Sequence, residues 1–228
     1  MKDKVVLVTG ANGGLGTFVT QAFLEAGATV VGTAPRIEQS SFAHSSFTAM
    51  AAEITSLQSA KALMERISER FGRLNILAHT VGAFAGGASL AETDDATFQK
   101  MLDLNLLVTF HVLRAMLPLM RKSRNGCIVG IGSRAALEPG AQVGAYSASK
   151  AAMVALIRTV AEENKDVGMT ANVILPGTID TPANRKAMPN ADFTKWVQPA
   201  RIAALVTFLA GDEGKDINGA VIPVYGVS

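Results

Sequence analysis

The stretch Val5-Val6-Leu7-Val8-Thr9-Gly10-Ala11-Asn12-Gly13-Gly14-Leu15-Gly16 governs the reading of the whole chain. An apolar, β-branched run reads as a buried strand, and the helical pattern that follows at residues 15–26 stops at Gly27. Between them lies a glycine-rich turn. Glycines allow positive φ and let an anion approach the backbone. The free N–H groups and the dipole of a helix N-terminus attract a phosphate. Strand, turn and helix in that order predict a phosphate cradle. The turn is not a P-loop, because no Gly-Lys-Ser/Thr follows, and its glycines at 10, 14 and 16 depart from the G-x-G-x-x-G spacing.

Working outward, strands alternate with helices. Strands are expected at 5–9, 29–33, 47–52, 74–79, 127–132, 170–175 and 220–224. Helices are expected at 59–71, 98–120, 145–164 and 201–209. Residues 34–46 carry Pro35 and four serines and read as a loop. This alternation predicts an α/β, Rossmann-type doubly wound sheet of about seven mostly parallel strands with helices on both faces. No linker or repeat divides the 228 residues, so one domain, residues 1–228, is expected.

Composition excludes several classes. With 49% hydrophobic residues the chain can offset its conformational entropy by burial, which rules out disorder. A net charge of +2 leaves no footprint for nucleic acid. The single cysteine, Cys127, cannot close an internal disulfide, and a cytoplasmic location is expected. The N-terminus reads as no signal peptide, and no uninterrupted apolar run approaches the ~20 residues of a membrane helix. His44, His79, His111 and Cys127 lack metal-ligand spacing, so no metal is expected; His79 ends a strand and reads as structural.

Tyr146 and Lys150 stand four apart on a predicted helix and share a face. A free tyrosine titrates near ~10, too high for acid–base work at neutral pH, and a neighbouring cation is expected to lower that value. Ser133 follows the strand at 127–132, where open α/β sheets bind ligands, and its hydroxyl can bond a carbonyl oxygen. Asn105 sits among leucines in Leu104-Asn105-Leu106-Leu107, a costly place unless its amide is bonded. Ser147-Ala148-Ser149-Lys150 fits S-x-x-K, but the companion S-D-N and K-T-G motifs are missing. Ser133 fails the nucleophile-elbow pattern, because Ile131 stands where glycine is needed.

Thr9-Gly10-x-x-x-Gly14-x-Gly16, Ser133 and Tyr146-x-x-x-Lys150 together resemble the short-chain dehydrogenase/reductase family, over residues 4 to about 226. The resemblance implies a nicotinamide-dependent oxidoreductase that interconverts carbonyls and alcohols, with Ser133, Tyr146, Lys150 and Asn105 as the catalytic set. It implies cofactor contacts from Gly10, Asn12, Gly13, Gly14, Leu15 and Gly16. Further contacts are implied from Thr33, Ala34 and Arg36 after the second strand, and from Glu53 and Ile54 near the adenine. Val81 and Gly82 follow the fourth strand, although Thr80 replaces the family's asparagine. Tyr146 and Lys150 also face the cofactor, and Pro176, Gly177, Thr178, Ile179 and Thr181 follow the sixth strand. No acid ends the second strand to accept from a ribose 2′-OH, and Arg36 can meet a 2′-phosphate, so NADP(H) is expected over NAD(H).

Residues 180–197 form a lid-like segment. This segment and Phe84-Ala85-Gly86-Gly87 resemble the dihydropteridine reductases of the same family, and Phe84 can stack on a flat ring. The missing acid and the presence of Ser133 and Asn105 instead favour ordinary ketone or alcohol chemistry. A non-catalytic dinucleotide-binding protein is a third reading, although such a protein need not keep both Tyr and Lys. The family's habit of pairing the helices at 98–120 and 145–164 implies a homodimer or homotetramer.

Overall fold

The computed structural model describes residues 1–227. Seven parallel strands form one sheet in the order β3-β2-β1-β4-β5-β6-β7. The strands are β1 (Val5–Thr9), β2 (Thr29–Thr33), β3 (Phe47–Ala49), β4 (Ile76–His79), β5 (Cys127–Ile131), β6 (Thr170–Pro176) and β7 (Val221–Val224). The order reverses between β1 and β4, which opens a crevice at their carboxyl ends. β1, β4, β5 and β6 are buried along their whole length, as a sheet covered on both faces requires.

One face carries α1 (Gly16–Glu25) and α7 (Pro199–Ala210); the other carries α2 (Leu57–Phe71), α4 (Val108–Ser123) and α5 (Gly144–Glu163). In α1 the buried residues Gly16, Val19, Thr20, Phe23 and Leu24 recur at helical spacing and make the face that lies on the sheet. α2 starts at Ser56, whose hydroxyl accepts from the Ser59 amide, and ends at Gly72 in the left-handed conformation.

The structure changes four expectations. β3 ends at Ala49 rather than 52, although the Met50 and Ala52 amides still bond the Gly32 and Ala34 carbonyls. The helix expected at 98–120 extends over residues 95–123 as α3 (Asp95–Met101), a π turn (Leu102–Leu107) and α4. The segment expected to form a lid contains a short helix, α6 (Pro182–Ala187), capped by Thr181 with Pro182 in its first turn. The fourth concerns the membrane. Asp95–Ser123 is long and apolar enough to cross one, a length that apolar runs in the sequence do not reveal. Here it is a core helix, burying Val112, Leu113, Met116 and Met120 against the sheet.

Candidate active site

The carboxyl ends of the strands assemble the site. β1 ends at Thr9, and Gly10 turns the chain at φ 72°, a left-handed conformation that favours glycine. Gly16 packs on the Gly10 carbonyl with no room for a side chain. A Cβ on Gly14 would lie 2.9 Å from the Thr181 methyl, so this turn meets the loop after β6. Asn12, Gly13 and Gly14 are exposed, while Leu15 is buried beneath them. α1 starts with no side-chain cap, unlike α2, so its first turn presents bare backbone to the crevice. The exposed glycine cradle and the uncapped helix fit the diphosphate of a dinucleotide.

Around the cradle, Asn12 Nδ2 donates to the Arg36 carbonyl at 3.1 Å and so braces the loop after β2. Arg36 is exposed, Ala34 is buried, and the Thr33 hydroxyl donates to the Met50 carbonyl at 2.8 Å. Glu53 is exposed, and Ile54 packs on the core. Thr80, in place of the family's asparagine, donates its hydroxyl to the Thr9 carbonyl at 2.7 Å. Val81 lies beside Gly10.

Beyond β6, Gly177 follows Pro176 and its amide donates to the Val224 carbonyl. The Thr178 carbonyl accepts from the Val197 amide, and Ile179 pairs with Val197 as a one-residue bridge. Thr181, 8% exposed, accepts from the Asn184 amide and keeps its own proton to donate. The segment at 180–197 is pinned at its start: Asp180 accepts from Arg185 through both carboxylate oxygens and from Gln198 at 3.0 Å. Those bonds hold the Asp180 carboxyl down at about 2.

Opposite the cradle, α5 carries Tyr146 and Lys150. The Tyr146 phenol hydrogen-bonds Ser133, which starts the 3-10 turn after β5 and also accepts from the Ala135 amide at 3.2 Å. The Phe84 ring, 67% exposed, meets the Tyr146 ring edge-on with centroids 5.0 Å apart. Lys150 is 4% exposed, and its ammonium donates to the Ile131 carbonyl at 3.0 Å. Burial brings its pKa down to about 8. A Cβ on Gly82 would lie 2.8 Å from Lys150 Nζ and 3.0 Å from Asn105 Oδ1, so a side chain there would displace both groups.

Tyr146 departs from expectation. Burial raises the phenol above its ordinary range, opposed only by the Ser133 bond. The Lys150 charge does not overcome that burial, and the net shift is upward.

Asn105 is fully buried in the π turn, and its amide is satisfied. Oδ1 accepts from the Ala83 amide at 2.9 Å, and Nδ2 donates to the Ala83 carbonyl and to Ser149 Oγ, each at 3.0 Å. Ser149 in turn donates to the Tyr146 carbonyl at 2.7 Å. Sequence reasoning missed Ser149, the π turn and Thr109, and it gave His79 only a structural place. Among the described residues no group of three or more His, Cys, Asp or Glu side chains could hold a metal ion.

The short chain dehydrogenase model matches residues 4–192. A rhamnolipid-biosynthesis 3-oxoacyl-[acyl-carrier-protein] reductase of Pseudomonas aeruginosa is 32% identical, covering 99% of this chain and 96% of that protein. The 3-oxoacyl-[acyl-carrier-protein] reductase FabG of Thermotoga maritima is 27% identical over 99% of this chain and 98% of its own length. Among solved structures, ElxO with NADP bound superposes with a TM-score of 0.92 at 27% identity, over 99% of this chain and 98% of that one. The two 3-oxoacyl-[acyl-carrier-protein] reductases do not favour the pterin reading of residues 180–197. By sequence and by fold, the chain belongs to the short-chain dehydrogenase family of oxidoreductases.

Proposed function

We propose that this protein is an NADP(H)-dependent reductase of ketones that works through Ser133, Tyr146, Lys150 and Asn105. The observation that carries the reading is the Tyr146 phenol, bonded to Ser133 one helical turn before a buried Lys150 and facing a glycine cradle. When bound, the nicotinamide supplies the hydride. Ser133 donates a hydrogen bond to the carbonyl oxygen of the substrate and orients it. Tyr146 gives that oxygen its proton as the carbon is reduced, and burial favours this role by keeping the phenol in its acid form. The Lys150 ammonium stabilises the phenolate left behind and holds the nicotinamide ribose. Asn105 fixes Ala83 and Ser149 around this centre. The remaining residues of the cradle and of the loops after β2, β4 and β6, named above, hold the cofactor, and Phe84 lines the substrate side.

Arg36, exposed near the start of the loop that Asn12 braces, supports NADP(H), as does the likeness to the NADP-bound ElxO. The likeness to the 3-oxoacyl-[acyl-carrier-protein] reductases supports a β-keto thioester or ester as the first substrate to try. The chain is read as one domain, with residues 180–197 as its lid. It is read as cytoplasmic, in keeping with one buried thiol whose pKa is pushed up to about 11. The exposed apolar residues Leu104, Leu107 and Phe110 recur along one side of the π turn and α4, and they support pairing into a homodimer or homotetramer.

A panel of β-keto esters, simple ketones and quinonoid dihydropterin, each with NADPH and NADH, tests the reading. Turnover of a keto compound with NADPH is expected. Absence of turnover and of tight binding for both cofactors overturns it, and a clear NADH preference overturns the role of Arg36.

A further inference from the structure

The π turn that carries Asn105 is held by a chain of side chains that reaches back to the cradle. In this turn the Val108 amide bonds the Asp103 carbonyl, five residues back, so the ordinary ladder is broken there. The Asn105 carbonyl accepts instead from the Thr109 hydroxyl at 2.6 Å. Thr109 Oγ1 lies 3.0 Å from His79 Nε2, and His79 Nδ1 lies 2.8 Å from Thr9 Oγ1. All four residues are 1% exposed or less.

The direction of every bond follows. A carbonyl only accepts, so the Thr109 proton lies on the bond to Asn105. Thr109 must then accept from His79, which puts a proton on Nε2. Nδ1 is left with a lone pair, and it accepts the Thr9 hydroxyl proton. One tautomer of a neutral imidazole satisfies the whole chain, and a second proton on His79 would take from the Thr9 hydroxyl the acceptor its proton uses. Burial, with the Lys150 charge adding to it, pushes the imidazole down to about 3, so the neutral form stands at any pH at which the enzyme works.

We infer that His79 and Thr109 are positioning residues for the reduction: through the Nε2–H tautomer they fix the π turn, and through it Asn105, against the catalytic tyrosine. Neither touches substrate or cofactor. Their effect passes along the bonds of Asn105, which clamps Ala83 on one side and Ser149 on the other, and Ser149 bonds the Tyr146 backbone. Gly82, next to Ala83, leaves the space that Lys150 Nζ occupies. A π turn that relaxes to an ordinary helix rotates Asn105 away from all of these. This inference rests on the proposed carbonyl reduction, whose own failure would be read in the substrate panel.

Two experiments test it. Thr109→Val keeps the shape and removes the hydroxyl, while Thr109→Ser keeps the hydroxyl. Misplacing a catalytic group by a fraction of an ångström to an ångström costs about 10- to 100-fold in rate. Thr109→Val is expected to lose that much kcat, with KM for NADPH within about threefold of wild type. Thr109→Ser is expected to recover to within about threefold. Wild-type kcat in Thr109→Val overturns the inference, and so does an equal loss in Thr109→Ser, because a retained hydroxyl would then have restored nothing.

The second experiment needs no variant and no activity. Long-range ¹H–¹⁵N spectra of the unaltered protein at pH 7 are expected to show His79 neutral with the proton on Nε2. A proton on Nδ1, or on both nitrogens, overturns the chain even where Thr109→Val fails to fold.

Discussion

Two sets of buried asparagines make an instructive pair. Toward the amino ends of the strands, Asn75 accepts from the Val5 amide, and Asn172 bonds both the Ile217 carbonyl and the Ala220 amide. Beside them the half-buried Asn218 bonds the Ala171 amide and the Ala161 carbonyl. At the carboxyl ends, Asn105 is bonded just as fully. Burial and satisfaction therefore do not separate the two. What separates them is where the bonds lead. The lower amides close on backbone and join β1, β6 and β7 to their neighbours. The upper one leads through Ser149 to Tyr146 and lies against the gap at Gly82 that Lys150 fills. A buried amide bears on the chemistry where its bonds lead on toward the reacting groups.

Lys150→Met strikes the upper set hardest. It is expected to cut the reduction rate about 100- to 1000-fold. It is also expected to raise the melting temperature at pH 7. Lys150 has a folded pKa of about 8 against an ordinary value of 10.5, so burying its charge costs stability below about pH 8. As pH climbs from 8 to 10.5 the folded lysine is neutral while the unfolded one still binds a proton, so wild-type stability rises with pH. The thermal gain of Lys150→Met should therefore fade across that window in melting curves. A gain that grows with pH would contradict the burial argument.

Asn105→Ala comes next, with an expected loss of about 10- to 100-fold in kcat. Arg36→Ala is expected to raise KM for NADPH about tenfold and to leave KM for NADH within about twofold, as steady-state kinetics would report. An equal effect on both cofactors would separate Arg36 from the 2′-phosphate. Asn172→Ala should have the smallest effect on rate, within about twofold of wild-type kcat. It should still cost about 1–3 kcal/mol of stability for each group it strands, the Ile217 carbonyl and the Ala220 amide. If Asn172→Ala loses as much kcat as Asn105→Ala, the division between the two sets fails.

Much of this was legible in the sequence where local chemistry writes it. The β-branched runs mark the strands, the glycines mark the cradle, and the four-residue spacing of Tyr146 and Lys150 puts both on one face of α5. The π turn was not legible. It adds one residue to a helix whose apolar pattern, Leu102 to Leu113, reads as continuous. Helix α6 escaped because its six residues are short and exposed, without an apolar stripe to mark them. The role of His79 needs β1, β4 and α4 brought together, and no spacing along the chain encodes that. The phenol's raised pKa was hidden for a similar reason. Spacing places the lysine near it, but spacing does not report the burial that raises it.

The central claim is that Tyr146 supplies the proton when NADPH reduces a ketone on this protein. Single-turnover oxidation of NADPH by a β-keto ester, followed by stopped-flow absorbance in wild type and Tyr146→Phe, tests it most directly. The account predicts stoichiometric oxidation in wild type and a rate about a thousandfold lower in the variant, with NADPH binding retained. A variant that oxidises NADPH within tenfold of the wild-type rate would contradict it.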